Sequence, residues 1–271
     1  MLEENSFVNQ CYLDFLQRSA DPGGLSYWTS QISQCVADVQ CFHDKTIGVS
    51  NAFFFEQEFQ QTGSYVYRLF REAFGNTQPQ PNPDSSNPTE ANKIPSYDAY
   101  AALRARVIGG ASLTAGQLDA ANVLAASSQF QARYPANQPL DQFVDALLNT
   151  IQTDIGVNLS SQRTALIALG SRGAVLYRLA NDDLQGGNGG INNRLFIDAE
   201  YNKTFVVTEY FGYLRRDGDI GGILFWKSQI DSAPLRDTAK QNAMVCSVIT
   251  SDEYQKRFGP NSPRTNAECP H

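Results

Sequence analysis

Apolar positions fall in helical stripes along most of the chain, and the first stripe is the clearest. Phe7, Val8, Cys11, Tyr12, Phe15 and Leu16 stand at i, i+1, i+4, i+5, i+8 and i+9, which places them on one face of a helix. Arg18 closes that helix. The stretch Ser19-Ala20-Asp21-Pro22-Gly23-Gly24 cannot continue it, because Pro22 has no N–H to donate and the glycines accept positive φ. Asp21 can accept from the N–H groups that open a second helix, whose inner face is Leu25, Trp28 and Ile32. Further stripes predict helices over 46–61, ending at Gly63, and over 64–75, where Tyr65, Val66, Leu69, Phe70 and Phe74 repeat the spacing. Helices follow at 96–108 and 113–130, the latter capped by Ser112 or Thr114. Phe143, Val144, Leu147, Leu148 and Ile151 form another stripe. After it the turn NLSSQR, with Ser160 or Ser161 as cap, leads to helices at 163–169 and 173–180. A last group opens with a helix through Tyr201 and Phe205. Strand alternation around hairpin dipeptides is not found, so the expected class is all-α.

The first stripe and its turn are written twice. Residues 7–32 align without a gap to residues 205–230, at an offset of 198, and twelve of the 26 positions are identical, which fixes the register of the repeat. The shared positions include Tyr12/Tyr210, Leu16/Leu214, Arg18/Arg216, Asp21/Asp219, the pairs Gly23-Gly24 and Gly221-Gly222, and Trp28/Trp226. Ile220 stands where the first copy has Pro22. Three segments, 127–135, 250–259 and the end of 46–61, share a polar or acidic residue, an aromatic (Phe130, Tyr254, Phe59) and a stop at Pro or Gly. The expected organisation is therefore about four degenerate three-helix units, two in each of two pseudo-symmetric halves, residues 1–135 and 136–271. Residues 75–95 hold five prolines among Asn, Gln and Ser; this reads as an exposed, irregular insert at 76–95 in the second unit. Residues 185–190 (QGGNGG) read as a connector.

The string F-V-x-x-x-Y-x-x-x-L-x-R-x-x-D-x-G-G-x-x-x-W resembles the bacterial DUF 4214 family, a domain of unknown function, and its Arg-x-x-Asp-x-x-Gly…Trp core is similar to the linker polypeptides of phycobilisomes. The motif covers the two end units; the middle of the chain matches it loosely. The resemblance implies a helical module of secreted or surface-exposed bacterial proteins, without established catalytic residues.

Composition agrees with a globular chain: 42% hydrophobic and 11% aromatic residues supply a core. A net charge of −7 and a pI near 4.9 argue against nucleic acid and anionic membranes as partners. Apolar runs fall short of the ~20 residues that span a bilayer, and the start MLEENSFVNQ has neither the basic nor the apolar region of a signal peptide, so an exported protein would be read here as a mature or excised segment of a longer precursor. In the exported setting that the resemblance implies, the expected bridges are Cys35–Cys41, closing a short polar loop, and Cys246–Cys269, tying down the tail; Cys11 stays free on a buried face, and five reduced thiols are the alternative.

For chemistry, the acidic turns come first. Asp21, Gly23 and Gly24 in one copy, and Asp217, Asp219, Gly221 and Gly222 in the other, could hold calcium or could cap helices. Arg18 and Arg216 precede the aspartates by three and are expected to pair with them across the turn. Tyr12, Leu16, Trp28, Tyr210, Leu214 and Trp226 are expected in the core, with exposed tryptophan platforms for glycans as the alternative. Of two histidines, only His43 could serve a Ser–His or Cys–His mechanism or join Cys35 and Cys41 around zinc. No phosphate loop, nucleophile elbow or His-Glu-x-x-His occurs. The functional expectation is a non-catalytic extracellular interaction or assembly module working with a protein partner or by self-association, through segments outside the repeat: the insert, the connector and the tail. The alternative is a calcium- or glycan-binding module, and a soluble hydrolase with two distant carboxylates comes third.

Overall fold

The computed structural model describes residues 2–35, 38–182, 190–258 and Cys269. The fold is all-α. Among the described residues there is no strand, only one isolated bridge between Pro81 and Pro95. Helix α1 (Leu2–Cys11) runs without interruption into a π-helical turn, Tyr12–Leu16, which ends at Gln17 in the left-handed region (φ 54°). Helix α2 (Pro22–Ser33) starts at Asp21, and α3 (Val39–Phe55) at Asp38, whose side chain accepts from the Cys41 N–H at 3.0 Å. Glu56, with ψ 135°, breaks the chain before α4 (Gln57–Gln61). The helix expected over 46–61 is thus two helices, and it begins earlier because Asp38 caps it.

Helix α5 (Gly63–Phe74) is the post of the structure, with every residue buried. It touches α7 (Tyr97–Ile108), α8 (Leu113–Ala126), α10 (Leu140–Ile155), α12 (Arg172–Ala180) and α13 (Arg194–Glu209). Between these lie the one-turn α6 (Pro88–Ala91), α9 (Ser128–Arg133) and α11 (Arg163–Ile167). A helix buried on all sides must satisfy its own polar residues. Arg68 does so by donating to the carbonyls of Ala180 (2.7 Å) and Gln60 (2.9 Å). Because α5 packs on elements from both sides of residue 135, one continuous core runs through the chain, and the expected halves 1–135 and 136–271 do not have separate cores.

Short polar caps punctuate the rest. Ser96, Ser112, Ser127 and Ser171 each accept from the N–H three residues on. Ser127 also divides the helix expected over 113–130, so the recurrent aromatic endings are separate short helices. At the turn NLSSQR the side chain that turns the chain is Asn158, which accepts from the Ser160 N–H at 2.9 Å; neither Ser160 nor Ser161 caps.

After α13 the second copy repeats the first. A π-turn, Tyr210–Leu214, ends at left-handed Arg215 (φ 50°), and α14 (Ile220–Asp231), α15 (Thr238–Ile249) and α16 (Asp252–Phe258) follow. The two copies meet at their π-turns and through α3 and α15. The Phe15 and Tyr213 rings pack edge to face at 4.9 Å, the Arg215 guanidinium reaches buried Asp14 at 3.0 Å, and α3 lies on α15 with Asn51 donating to Asn242 at 2.6 Å. The straight α5 and α10 of the middle segments carry no π-turn.

The insert 76–95 corrects an expectation. It is not an exposed irregular loop: Gln78, Asn82, Ala91, Ile94 and Pro95 are buried, and the loop is closed on itself by bonds from the N–H groups of Gln78, Asn82 and Ser96 to the carbonyls of Asn92, Ile94 and Gln80. Asn82 donates to the Gly218 carbonyl at 2.6 Å, and Asp84 accepts from the Ile220 N–H at 2.7 Å. Asn82 and Asp84 thus face backbone groups of the second copy, which local composition does not reveal, while Thr77, Gln80, Ser85, Ser86, Thr89 and Asn92 face water.

Glu209 lies at the position equivalent to Cys11 and is fully buried, its two oxygens without a hydrogen-bond partner among the described residues. Burial pushes its carboxyl well above the ordinary range. The folded protein therefore keeps a proton that the unfolded chain releases above about pH 4.3. Stability contributed this way is present at low pH and is lost as pH rises. Glu209→Gln is expected to match the wild type in urea denaturation at pH 4 and to exceed it increasingly toward pH 8.

Candidate functional site

Each turn motif is one interlocked unit. Asp21 Oδ1 accepts from the Gly24 N–H at 2.8 Å, and Asp219 Oδ1 from the Gly222 N–H at 2.7 Å. The Gly24 N–H chiefly holds the Asp21 carboxyl below its ordinary value. The second glycine of each pair is dictated by space, since a Cβ on Gly24 or Gly222 would collide with the hydroxyl of Tyr12 or Tyr210. Above those rings lie the arginines, with Arg18 Cζ 4.9 Å from the Tyr12 centroid and Arg216 Cζ 5.7 Å from that of Tyr210. Leu16 and Leu214 are buried beneath.

The expected pair with the turn aspartate is present for Arg18, but the closer, two-pronged partner of each arginine is a glutamate. Arg18 makes a two-pronged pair with Glu58 (2.8 and 2.7 Å), and its contact with Asp21 is longer, at 3.5 Å. Arg216 forks onto Glu253 (2.6 and 2.7 Å) and donates to the Asp217 carbonyl at 2.7 Å. The reason is geometric: stacked over the tyrosine, each guanidinium points to the short helix that closes the unit, α4 or α16. Glu58 and Glu253 both stand directly before the aromatic of that helix, so the signal was in the sequence. Asp217 does not belong to the turn site either; its Oδ1 accepts from the Tyr97 N–H at 2.8 Å and so anchors the start of α7. Among the described residues, no three His, Cys, Asp or Glu side chains are gathered as cation ligands would be. With both turn aspartates acting as caps, Asp219→Ala is expected to cost about 1 kcal/mol of stability, equally in EDTA and in calcium; a melting curve that depends on calcium only in the wild type would reverse this assignment.

The tryptophans are half-buried rather than enclosed. Trp28 and Trp226 pack on the core with one side, and on the other each meets an exposed aromatic neighbour edge to face, Tyr27 at 4.9 Å and Phe225 at 5.1 Å. Tyr27 is 57% exposed and Phe225 54%. Their equivalence in the repeat sets them apart from the scattered apolar residues that any surface shows. Reading the inner stripe alone misses them.

Cys35 is bonded to Cys41 and Cys246 to Cys269, with Cα–Cα distances of 5.5 and 5.6 Å. Cys11 is free and buried, its Sγ 3.7 Å from Ser50 Oγ, and burial pushes its thiol up, away from the reactive thiolate. His43 is buried with Nε2 3.6 Å from Cys246 Sγ, an atom already in a disulfide. The connector 186–190 apart from Gly190, and the tail 259–271 apart from Cys269, lie outside the described residues.

A cavity of about 290 Å³ opens where the insert meets α5, α10, α13 and α14. At its inner end Arg71 and Glu200 form a buried two-pronged ion pair, both distances 3.0 Å. Burial pushes the Glu200 carboxyl up, but Arg71 and Lys203 outweigh it and hold it below its usual value. Burial, reinforced by Arg71, brings the Lys203 ammonium down to about 7. None of these residues carried a sequence signal, because the cavity is assembled from five separate segments.

No curated protein and no solved structure matches this chain. The likeness to phycobilisome linkers rests on the motif alone. Residues 1–38, which hold the first copy of the turn motif, match the model of the family DUF4214, a domain of unknown function.

Proposed function

We propose that the protein is a non-catalytic interaction and assembly module of an exported bacterial protein, acting through the two aromatic pairs Tyr27/Trp28 and Phe225/Trp226. The observation that carries this reading is their exposure at equivalent positions of two copies whose other motif residues are engaged internally. Helix α2 packs on α1 and α3, and α14 on α13 and α15, so each copy presents its own pair and the chain is bivalent. Exposed aromatics beside a rigid scaffold supply large contact area at low entropic cost. Two disulfides support an oxidising compartment, and no helix among the described residues is long and apolar enough to cross a membrane.

The double variant Tyr27→Ser/Phe225→Ser is expected to keep the wild-type melting temperature within a few degrees, both side chains being mostly exposed, while its self-association in sedimentation velocity falls at least tenfold. Unchanged association would remove the aromatic pairs from the contact. The half-exposed tryptophan faces also suit sugar rings, which favours a glycan-binding module as the second reading. An oligosaccharide panel that leaves tryptophan emission unaltered counts against it.

A further inference from the structure

The cavity beside α13 has a charge pattern that points to a ligand. Four cations face it: Arg71 from α5, Lys93 from the insert, Lys203 from α13 and Lys227 from α14. Three carboxylates face it as well, and each is already engaged. Glu200 holds Arg71, Glu90 accepts from Lys93 Nζ at 2.6 Å, and Asp154 accepts from the Asn76 N–H at 2.8 Å. Lys227 is paired outward with Asp231. Lys203 differs: its one hydrogen bond among the described residues goes to the Lys93 carbonyl at 3.4 Å, and no carboxylate lies within ion-pair distance of its Nζ. A half-buried ammonium whose nearest carboxylates, Glu200 and Glu90, act on it only from beyond ion-pair distance is costly, and a ligand anion would supply a direct counter-ion.

We propose that this cavity binds a short-chain monocarboxylate, its carboxylate against Lys203 Nζ and its hydrocarbon end against Ile94, Ile223 and Leu224. The volume of about 290 Å³ sits at the lower edge of small-molecule sites, which limits the ligand to a few carbons. A dianion such as phosphate would bring a second charge beside Glu90, Asp154 and Glu200 with no free cation to meet it. A cation of the same shape would face Lys203 itself. The cavity and the pair Phe225/Trp226 share α14, but the test below reads ligand binding and not association, so it stands or falls independently of the assembly role.

Binding fixes Lys203 in its charged form. Since the free protein releases that proton near pH 7, the complex takes up a proton above this value, and affinity falls as pH rises. The test is isothermal titration of the full chain with isovalerate at pH 6.5, with isoamylamine and inorganic phosphate as controls, repeated at pH 8 and 9 and with Lys203→Met. We expect saturable one-to-one binding of isovalerate alone, a loss of at least tenfold in Lys203→Met, and weakening of about tenfold between pH 8 and 9. Absence of saturable binding, equal binding of phosphate, or undiminished binding by Lys203→Met overturns the proposal. Should that variant fail to fold, the Lys203 ammonium signal of ¹⁵N-lysine-labelled wild type serves in its place; its titration must move upward with isovalerate, and an unmoved titration is equally fatal.

Discussion

Arg71→Met is expected to lower stability by about 3–5 kcal/mol, the largest effect of any single change considered. The guanidinium is buried in α5 and spends its donors on both oxygens of Glu200 and on the carbonyls of Gly75 and Lys93, the latter at 2.7 Å. It thereby joins the central post to α13 and to the folded insert at once. Removing it leaves a carboxylate with almost no exposure without its two-pronged partner, while the Gly75 and Lys93 carbonyls keep the Gln78 amide and the Lys203 ammonium as donors. Glu200→Leu alone leaves the opposite charge stranded and should cost a similar amount. The double variant Arg71→Met/Glu200→Leu should recover much of the loss, because it removes both charges together. Urea denaturation of the four proteins at pH 7 measures the coupling. Single variants that each cost under about 1 kcal/mol would show that the pair is not the tie described here. The pH sense of this pair is opposite to that of Glu209: the lowered Glu200 value makes its contribution full above about pH 4.3 and lost as acid protonates it.

Gly222→Ala is expected to destabilise by about 1–3 kcal/mol through overpacking, and Tyr210→Phe in the same chain should return part of that loss. A methyl at residue 222 meets the Tyr210 hydroxyl and, at 2.6 Å, the capping oxygen Asp219 Oδ1. Removing the hydroxyl opens space and leaves the ring beneath Arg216, but it also takes away the hydroxyl's hydrogen bond with Asp219, so the recovery is partial. Gly221→Ala is the control, since its Cβ would lie 4.0 Å from the nearest Asp219 oxygen. The prediction separates two explanations of the paired glycines: backbone freedom would penalise both positions alike, whereas close approach penalises the second alone. Thermal melts of Gly221→Ala and Gly222→Ala decide between them, and equal losses would refute the steric account.

Much of the helical framework is legible in the residues. Caps such as Asp21, Ser96 and Asp219 stand where an oxygen must meet an N–H, and the inner stripe of α5 declares its burial. The π-turns are not legible, because the i, i+4, i+8 spacing before Leu16 and Leu214 fits an ordinary helix and the left-handed residues after them are Gln17 and Arg215, not glycine. The insert was misleading for a different reason. Proline, Asn and Gln read as solvent-facing, yet Asn82 and Asp84 are the partners of backbone groups more than a hundred residues away. The same distance hides the cavity. Arg18 shows the intermediate case, where pairing with the nearest acid is the local expectation and the tyrosine stack redirects it to Glu58.

The assembly role is tested most directly by the solution mass of the wild-type protein, measured by light scattering over a concentration series in calcium and again in EDTA. The account predicts that the mass rises with concentration above the 29.9 kDa of one chain, and does so equally in both buffers. A mass of 29.9 kDa at every concentration would contradict self-association through the paired aromatics, and growth confined to calcium would return the turn aspartates to the role of ligands.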